Sequence, residues 1–296
     1  MKSILSICLN PTIQKTLVFS NITPDKVNRT VGHRLDASGK GINVSRVLTQ
    51  LGKKCVHLTQ LGGSFRAMFL ELCALDGLAI EWVESHSPIR FCYTLINNKD
   101  KSVTELVEEG DKVEAGTEDR LMAAFDRLLP DISTVIISGS KAAGFSDSLL
   151  SEMVRKAKAQ AAKVILDLRG KDLLECLPYK PDIIKPNYSE FVSTFMPEFA
   201  IKKAGVMDIC RELTSKYETQ IILTRGTMSI WCIENGQLQE FPIDRCEPLN
   251  TTGSGDAFTA GLASALEDGL PLKEAIAEGA RCGKLNAGLI RPGVIY

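Results

Sequence analysis

The chain has no C-x-x-C spacing, no run long enough for a signal peptide or membrane span, no internal repeat and almost no net charge. Its nine cysteines, an odd number, are scattered at 8, 55, 73, 92, 176, 210, 232, 246 and 282, which suits buried thiols in a reducing cytosol better than a disulfide framework. The N-terminal apolar stretch Ile4 to Leu9 is too short for a leader or a span and reads as a buried strand. A formal charge of −1 gives no general attraction to nucleic acid or anionic lipid. A cytoplasmic protein that binds neither nucleic acid nor membrane is expected. Two nucleotide motifs are also missing. No G-x-x-x-x-G-K-[ST] sequence occurs, and Phe258 stands where a third glycine would complete G-x-G-x-x-G.

What is present is a core-forming composition, 44% hydrophobic over 296 residues, enough for one large domain. Helical and strand patterns alternate from end to end. The stripe Val44, Val47, Leu48, Leu51 closes at Gly52, and Phe65, Met68, Phe69, Leu72 closes at Gly77. Cys55 to Gln60, Val135 to Ile137, Val164 to Leu166, Ile183 to Ile184 and Ile221 to Leu223 are short apolar runs. Such alternation predicts a mostly parallel, doubly wound sheet flanked by helices. Thr16 to Leu35 and Arg90 to Val107 break the rhythm: they are β-prone and unpaired with helices. A small antiparallel sheet, closing as a lid over the crevice at the strand ends, is the expectation, with an edge hairpin as the simpler alternative.

The most informative run is Asn250-Thr251-Thr252-Gly253-Ser254-Gly255-Asp256-Ala257-Phe258. A glycine-rich turn opens a helix whose face is Phe258, Leu262, Ala265 and Leu266, with Gly269 and Pro271 ending it. Gly253 and Gly255 allow close backbone approach, and the free N–H groups of the first turn favour an anion. An acid beside such a cradle can take a proton from a hydroxyl while the cradle stabilises the group attacked. The same residues also make an ordinary helix start with first-turn charge.

Further clusters fall at strand ends: Leu9-Asn10-Pro11, Ser38-Gly39-Lys40-Gly41-Ile42-Asn43, Ser138-Gly139-Ser140, Lys185-Pro186-Asn187-Tyr188-Ser189-Glu190 and Thr224-Arg225-Gly226. With the Asp256 loop they resemble the PfkB, or ribokinase-like, carbohydrate kinases over essentially the whole chain. Val27-Asn28-Arg29 and Pro181 to Asn187 resemble most the 1-phosphofructokinase and tagatose-6-phosphate kinase branch. The resemblance implies a single ribokinase-like domain over 1–296 with lid segments at about 12–35 and 88–108, and transfer of a phosphoryl group from MgATP to a sugar hydroxyl. It matches Asp256 to the catalytic base and the backbone of Gly253, Ser254 and Gly255 to the anion hole. Asn187 and Glu190 match an N-x-x-E motif that influences Mg²⁺ through water; read alone, the pair is a capping box. Lys185, Asn187, Thr224, Gly226, Thr252 and Gly255 match the ATP phosphate side, and Asn286 matches a position over the adenine. Gln14, Gly39, Lys40, Asn43, Arg90 and Ser138 match the sugar side. Arg29, Arg90 and Lys40 are the candidates for a substrate phosphate, whose roughly −1.5 to −2 charge suits guanidinium and ammonium groups.

The sequence departs from the family pattern mainly on the sugar side. Gln14 replaces an Asp that binds sugar hydroxyls, Ser38 the first glycine of Gly-Gly-Lys-Gly, Phe91 an Asn, and Lys141-Ala142-Ala143 follows Ser138-Gly139-Ser140. Arg225 replaces a smaller residue and Asn250 an Asp. Three readings stay open: a kinase of a phosphorylated ketohexose, fructose 1-phosphate first and tagatose 6-phosphate next; a kinase of an unphosphorylated sugar or nucleoside; and a non-catalytic sugar-phosphate-binding protein. A homodimer joined through the lid is also expected.

Overall fold

The computed structural model describes residues 2–196, 203–244 and 246–296. Its main sheet has nine strands. Seven run parallel: β1 (Ser3–Cys8), β4 (Cys55–Leu61), β5 (Ala79–Glu84), β8 (Ile132–Ser138), β9 (Lys163–Asp167), β10 (Ile183–Ile184) and β11 (Gln220–Leu223). Two antiparallel strands, β12 (Ile230–Glu234) and β13 (Gln237–Phe241), finish one edge. The spatial order is β13-β12-β11-β10-β9-β8-β1-β4-β5, so the winding reverses beside β1, between β4 and β8.

Burial on both faces explains the unbroken apolar runs. Along β1, Leu5 and Ile7 join one core and Ile4 the other; along β9, Val164 and Leu166 lie on one side and Ile165 on the other. Helices α3 (Thr117–Leu128), α4 (Leu149–Ala159), α5 (Gly170–Cys176), α6 (Tyr188–Phe195) and α7 (Lys203–Tyr217) cover the first face, and α1 (Lys40–Gln50), α8 (Ser254–Glu267) and α9 (Leu272–Ala287) the second. Among the described residues no helix is long and apolar enough to cross a membrane. The expected one-sided stripe of α8 is instead buried all round from Asp256 to Ala265, because α9 lies over it. Glycines permit that approach: a Cβ on Gly261 would sit 2.8 Å from the Cys282 Sγ, and one on Gly279 2.9 Å from the Phe258 carbonyl oxygen.

A second sheet has the order β3-β2-β6-β7, formed by β2 (Thr12–Phe19), β3 (Gly32–Ser38), β6 (Arg90–Asn97) and β7 (Ser102–Val107). Its outer pairs are antiparallel and its central pair, β2 with β6, is parallel over eight residues. The sheet alternates as a two-faced element should. Ile13 and Ala37 pack with Phe69 and Cys73 of α2 (Arg66–Leu75) in a third core. Gln14 and Asp36, opposite each other in the ladder, point to the other side, where Asp36 meets Arg291.

Candidate active site

The polar residues singled out above converge at one end of the main sheet. Ser138 ends β8, Asp167 ends β9, Lys185 follows β10 and Thr224 follows β11, all at carboxyl ends of parallel strands, where ligands bind in such sheets. The N-termini of α1 and α8 open onto the same place. Gly39 caps α1 at φ 118°, and a Cβ on Gly41 would lie 2.8 Å from that of Cys8, so this helix start can press on β1 only as Gly-Lys-Gly.

Asp256 lies in the first turn of α8 and is 5% exposed. The Asn43 amide donates to its Oδ2 at 2.8 Å. Burial pushes its carboxyl up to about 6, against the pull of Lys40, Lys185 and the Asn43 hydrogen bond. The turn before it is sterically committed: Gly253 has φ 83°, and a Cβ there would fall 2.7 Å from the Gly293 nitrogen. No side chain caps α8, which leaves N–H groups of its first turn available to an anion.

Asp167 is the centre of charge that the sequence did not disclose. Its Oδ1 lies 3.3 Å from the Lys40 Nζ and its Oδ2 3.2 Å from the Lys185 Nζ. Ser138 and Thr259 hydroxyls point at Oδ2 from 3.5 and 3.4 Å. Burial raises this carboxyl, but Lys185 and Lys40 outweigh it, and the group is held below its ordinary range. Asp167 beside it holds the Lys40 ammonium above its usual value despite burial. Lys40 is therefore fixed as a cation beside Asp256. The Lys40 Nζ also reaches Glu190 Oε1 at 3.4 Å.

Asn187 and Glu190 form the full capping box of α6: the Glu190 N–H donates to Asn187 Oδ1 at 2.8 Å and the Asn187 N–H to Glu190 Oε2 at 2.9 Å. The box leaves Glu190 Oε1 facing Lys40. Thr224 pairs with Asn187 across a parallel bridge, and Gly226, at φ 63°, has open space around it. Thr252 donates to Glu105 of β7 at 3.1 Å, tying the anion loop to the second sheet. Arg225, the bulky departure on this side, stacks its guanidinium 3.9 Å over Trp231 and bonds Ser229 and Glu240.

On the sugar side, Gln14 is buried and donates to the Thr94 hydroxyl at 2.7 Å. Arg90 donates to the carbonyls of Glu108 and Asn10 at 2.9 and 3.4 Å, and its Nε is buried without a partner. Arg29 is exposed in the loop between β2 and β3. Asn286 lies near the end of α9. It is fully buried, its amide donates to the carbonyls of Arg291 and Val294, and it accepts from Ser254 at 3.3 Å, so its polar atoms brace the C-terminal loop.

Sequence reasoning also missed a buried ionic chain behind Asn43. Arg34 forks onto Asp36 at 2.7 and 2.8 Å, Arg291 bridges Asp36 and Asp76, and Arg46 meets Asp76 at 2.7 Å.

A deeply placed acid in an uncapped helix start, with Lys40 and Lys185 beside it, suits transfer of an anionic group to a hydroxyl. The profile of the pfkB family carbohydrate kinases matches residues 4–290, and the chain belongs to that family. It is a carbohydrate kinase. Its structure is similar to that of a possible 1-phosphofructokinase from Thermotoga maritima (TM-score 0.89, 19% identity, 99% of this chain and 93% of that one). It is similar also to phosphofructokinase-2 from Escherichia coli in complex with fructose-6-phosphate (0.86, 18%, 97% and 94%). A ribokinase from Thermotoga maritima superposes with a TM-score of 0.77 at 17% identity over 99% of this chain and 95% of that one. The fold is ribokinase-like.

Proposed function

We propose that this chain transfers the γ-phosphoryl group of ATP to a hydroxyl of a phosphorylated ketohexose, with fructose 1-phosphate the first acceptor and tagatose 6-phosphate the next. The observation that carries this reading is Asp256 at the uncapped start of α8, held by Asn43 and flanked by Lys40 and Lys185. Asp256 takes the acceptor hydroxyl's proton as the oxygen attacks the γ-phosphorus, and the bond to the departing ADP oxygen breaks. The backbone N–H groups of Gly253, Ser254 and Gly255, with Lys185, receive the charge on the transferring group. The ionised Asp256 is the working form, so activity falls as pH drops through its value near 6.

Lys185, Asn187, Thr224, Gly226 and Thr252 line the proposed ATP phosphate side. The described residues hold no cluster of three or more His, Cys, Asp or Glu side chains fit to cage a metal. Their hard oxygen donors fit Mg²⁺ carried in by phosphates and water, with Glu190 and Asn187 as outer partners. When bound, that ion would neutralise phosphate charge. On the sugar side, the unpartnered Arg90 Nε supports a phosphorylated acceptor, with Gly39, Lys40, Asn43, Ser138 and Gln14 around the ring. The second sheet serves as the lid, and the exposed apolar residues Leu106 and Val107 of its edge strand β7 support a dimer formed there.

The test is ADP release from MgATP with fructose 1-phosphate, tagatose 6-phosphate, fructose 6-phosphate, fructose, ribose and a nucleoside. A preference for one phosphosugar, weakened by Arg90→Met through KM, is the expected result. Preference for an unphosphorylated acceptor, or silence across the panel, overturns the proposal.

A further inference from the structure

Arg46 sits in the middle of α1, 1% exposed, and is among the largest fully buried side chains of the protein. Its Nε donates to Asp76 Oδ2 at 2.7 Å, its Nη1 to Asn43 Oδ1 at 3.0 Å and to the Pro292 carbonyl at 3.2 Å, and its Nη2 to the Ala37 carbonyl. Four acceptors from four separate segments thus fix the plane of the guanidinium. A buried cation of this kind is seldom the most stabilising choice, since apolar side chains of similar volume often serve as well or better. Its use here points to geometry.

The geometric consequence falls on Asn43. A guanidinium has only donors, so the Asn43 atom that faces Arg46 must be the carbonyl oxygen. The Ser38 hydroxyl reaches that same oxygen at 3.2 Å. With Oδ1 held twice, Nδ2 is turned the other way, and it meets Asp256 Oδ2 at 2.8 Å. Were the amide reversed, its oxygen would face a carboxylate and its NH₂ would face the Nη1 N–H donors of Arg46. Gly293 seats the residue from behind: a Cβ there would lie 2.6 Å from the Asn43 Cβ.

We propose that Arg46 is a positioning residue that locks the Asn43 amide so that its N–H groups face Asp256 and its oxygen does not. The role rests on the reading of Asp256 as the base. Asp256 is also faced by Lys40 from α1, Asp167 from the end of β9, Lys185 after β10 and Cys8 from β1, and none of these is altered in the test.

The experiment is a double-mutant cycle with Arg46→Lys, Asn43→Ala and the pair, measuring kcat and acceptor KM together with the ¹³C titration of the Asp256 carboxyl, assigned by its loss in Asp256→Asn. Arg46→Lys keeps the charge but cannot hold four acceptors at once. It should lower kcat about tenfold, the usual effect of losing a hydrogen bond to a charged group, with KM nearly unchanged. It should also move the carboxyl titration upward, as Asn43→Ala does. In the Asn43→Ala background the same change should cost kcat less than about twofold, because a residue acting only through Asn43 has nothing left to act on. Arg46→Met, which fills much of the same volume, is the second variant and should give the same losses. Full multiplicativity of the two substitutions, or an unmoved Asp256 titration in both Arg46 variants, overturns the proposal. Silence of the wild type toward every acceptor would sink the kinase reading, while the titration would still decide the role of Arg46.

Discussion

Replacing Asp256 by Asn should silence the enzyme and stabilise it. The carboxyl rises from its ordinary 3.8 to about 6 because burial disfavours its charge more than Lys40, Lys185 and Asn43 favour it. A carboxyl raised in the folded state contributes stability only while it is protonated. That contribution is complete below the unfolded value and is lost as pH climbs through the folded one. At pH 8 the unfolded chain carries this charge freely and the folded chain carries it at a cost of about 3 kcal/mol. Asparagine is nearly isosteric with the neutral acid and can still accept from Asn43, so the variant escapes most of that cost. For a chain of this length about 3 kcal/mol corresponds to roughly 5 °C in Tm. Thermal unfolding of the two proteins at pH 8, 7, 6 and 5 should show the variant ahead by about that much at pH 8, with the gap shrinking to about half by pH 5. kcat should fall by about 10²–10⁴, the range expected when a general base is removed. A variant that melts at or below the wild type at pH 8 would refute the claim that Asp256 is an expensive buried charge. Wild-type turnover would refute its role as base.

Two further substitutions separate cradle from base. Gly253→Ala forces an L-residue to φ 83° and drives its Cβ toward the Gly293 nitrogen. It should cost about 1–2 kcal/mol from backbone conformation alone and lower kcat by about 10² through a displaced anion hole; a lower Tm with unchanged kcat would separate the loop from the chemistry. Lys185→Met leaves the buried Asp167 with Lys40 as its remaining ion-pair partner. It should destabilise by about 3–5 kcal/mol and raise the KM for ATP more than that for the sugar, and equal effects on both would remove Lys185 from the phosphate side.

How much of this was legible in the sequence depends on how many distant residues each feature needs. The parallel strands were readable because helices cover both faces, so Val164-Ile165-Leu166 and Ile221-Ile222-Leu223 are apolar without interruption. The second sheet stood out for the opposite reason: Thr16 to Leu35 and Arg90 to Val107 alternate, since one face packs on α2 and the other turns toward Arg291. That its middle pair is parallel is a matter of topology, which alternation does not encode. Asp256 was visible because its neighbours in the chain, Gly253 and Gly255, make its cradle.

Asp167 was not visible in the same way, although the signal was one polar residue at the end of a buried strand. Its meaning comes from Lys40 and Lys185, which are 127 and 18 residues away in the chain. Arg46 is harder still. On the helical wheel it falls on the same α1 as Lys40 and Asn43 and reads as a solvated charge, because Asp76, Ala37 and Pro292 reach it from three other segments. Asn286, near a helix end, is equally opaque in the sequence, because its amide is engaged by Arg291, Val294 and Ser254. In each case the side chain's donors and acceptors are finite, and counting where they go decides between ligand and scaffold. By that count Asn43 and Arg46 belong together: the first has one end for the base and the other for the guanidinium, and neither end can be exchanged.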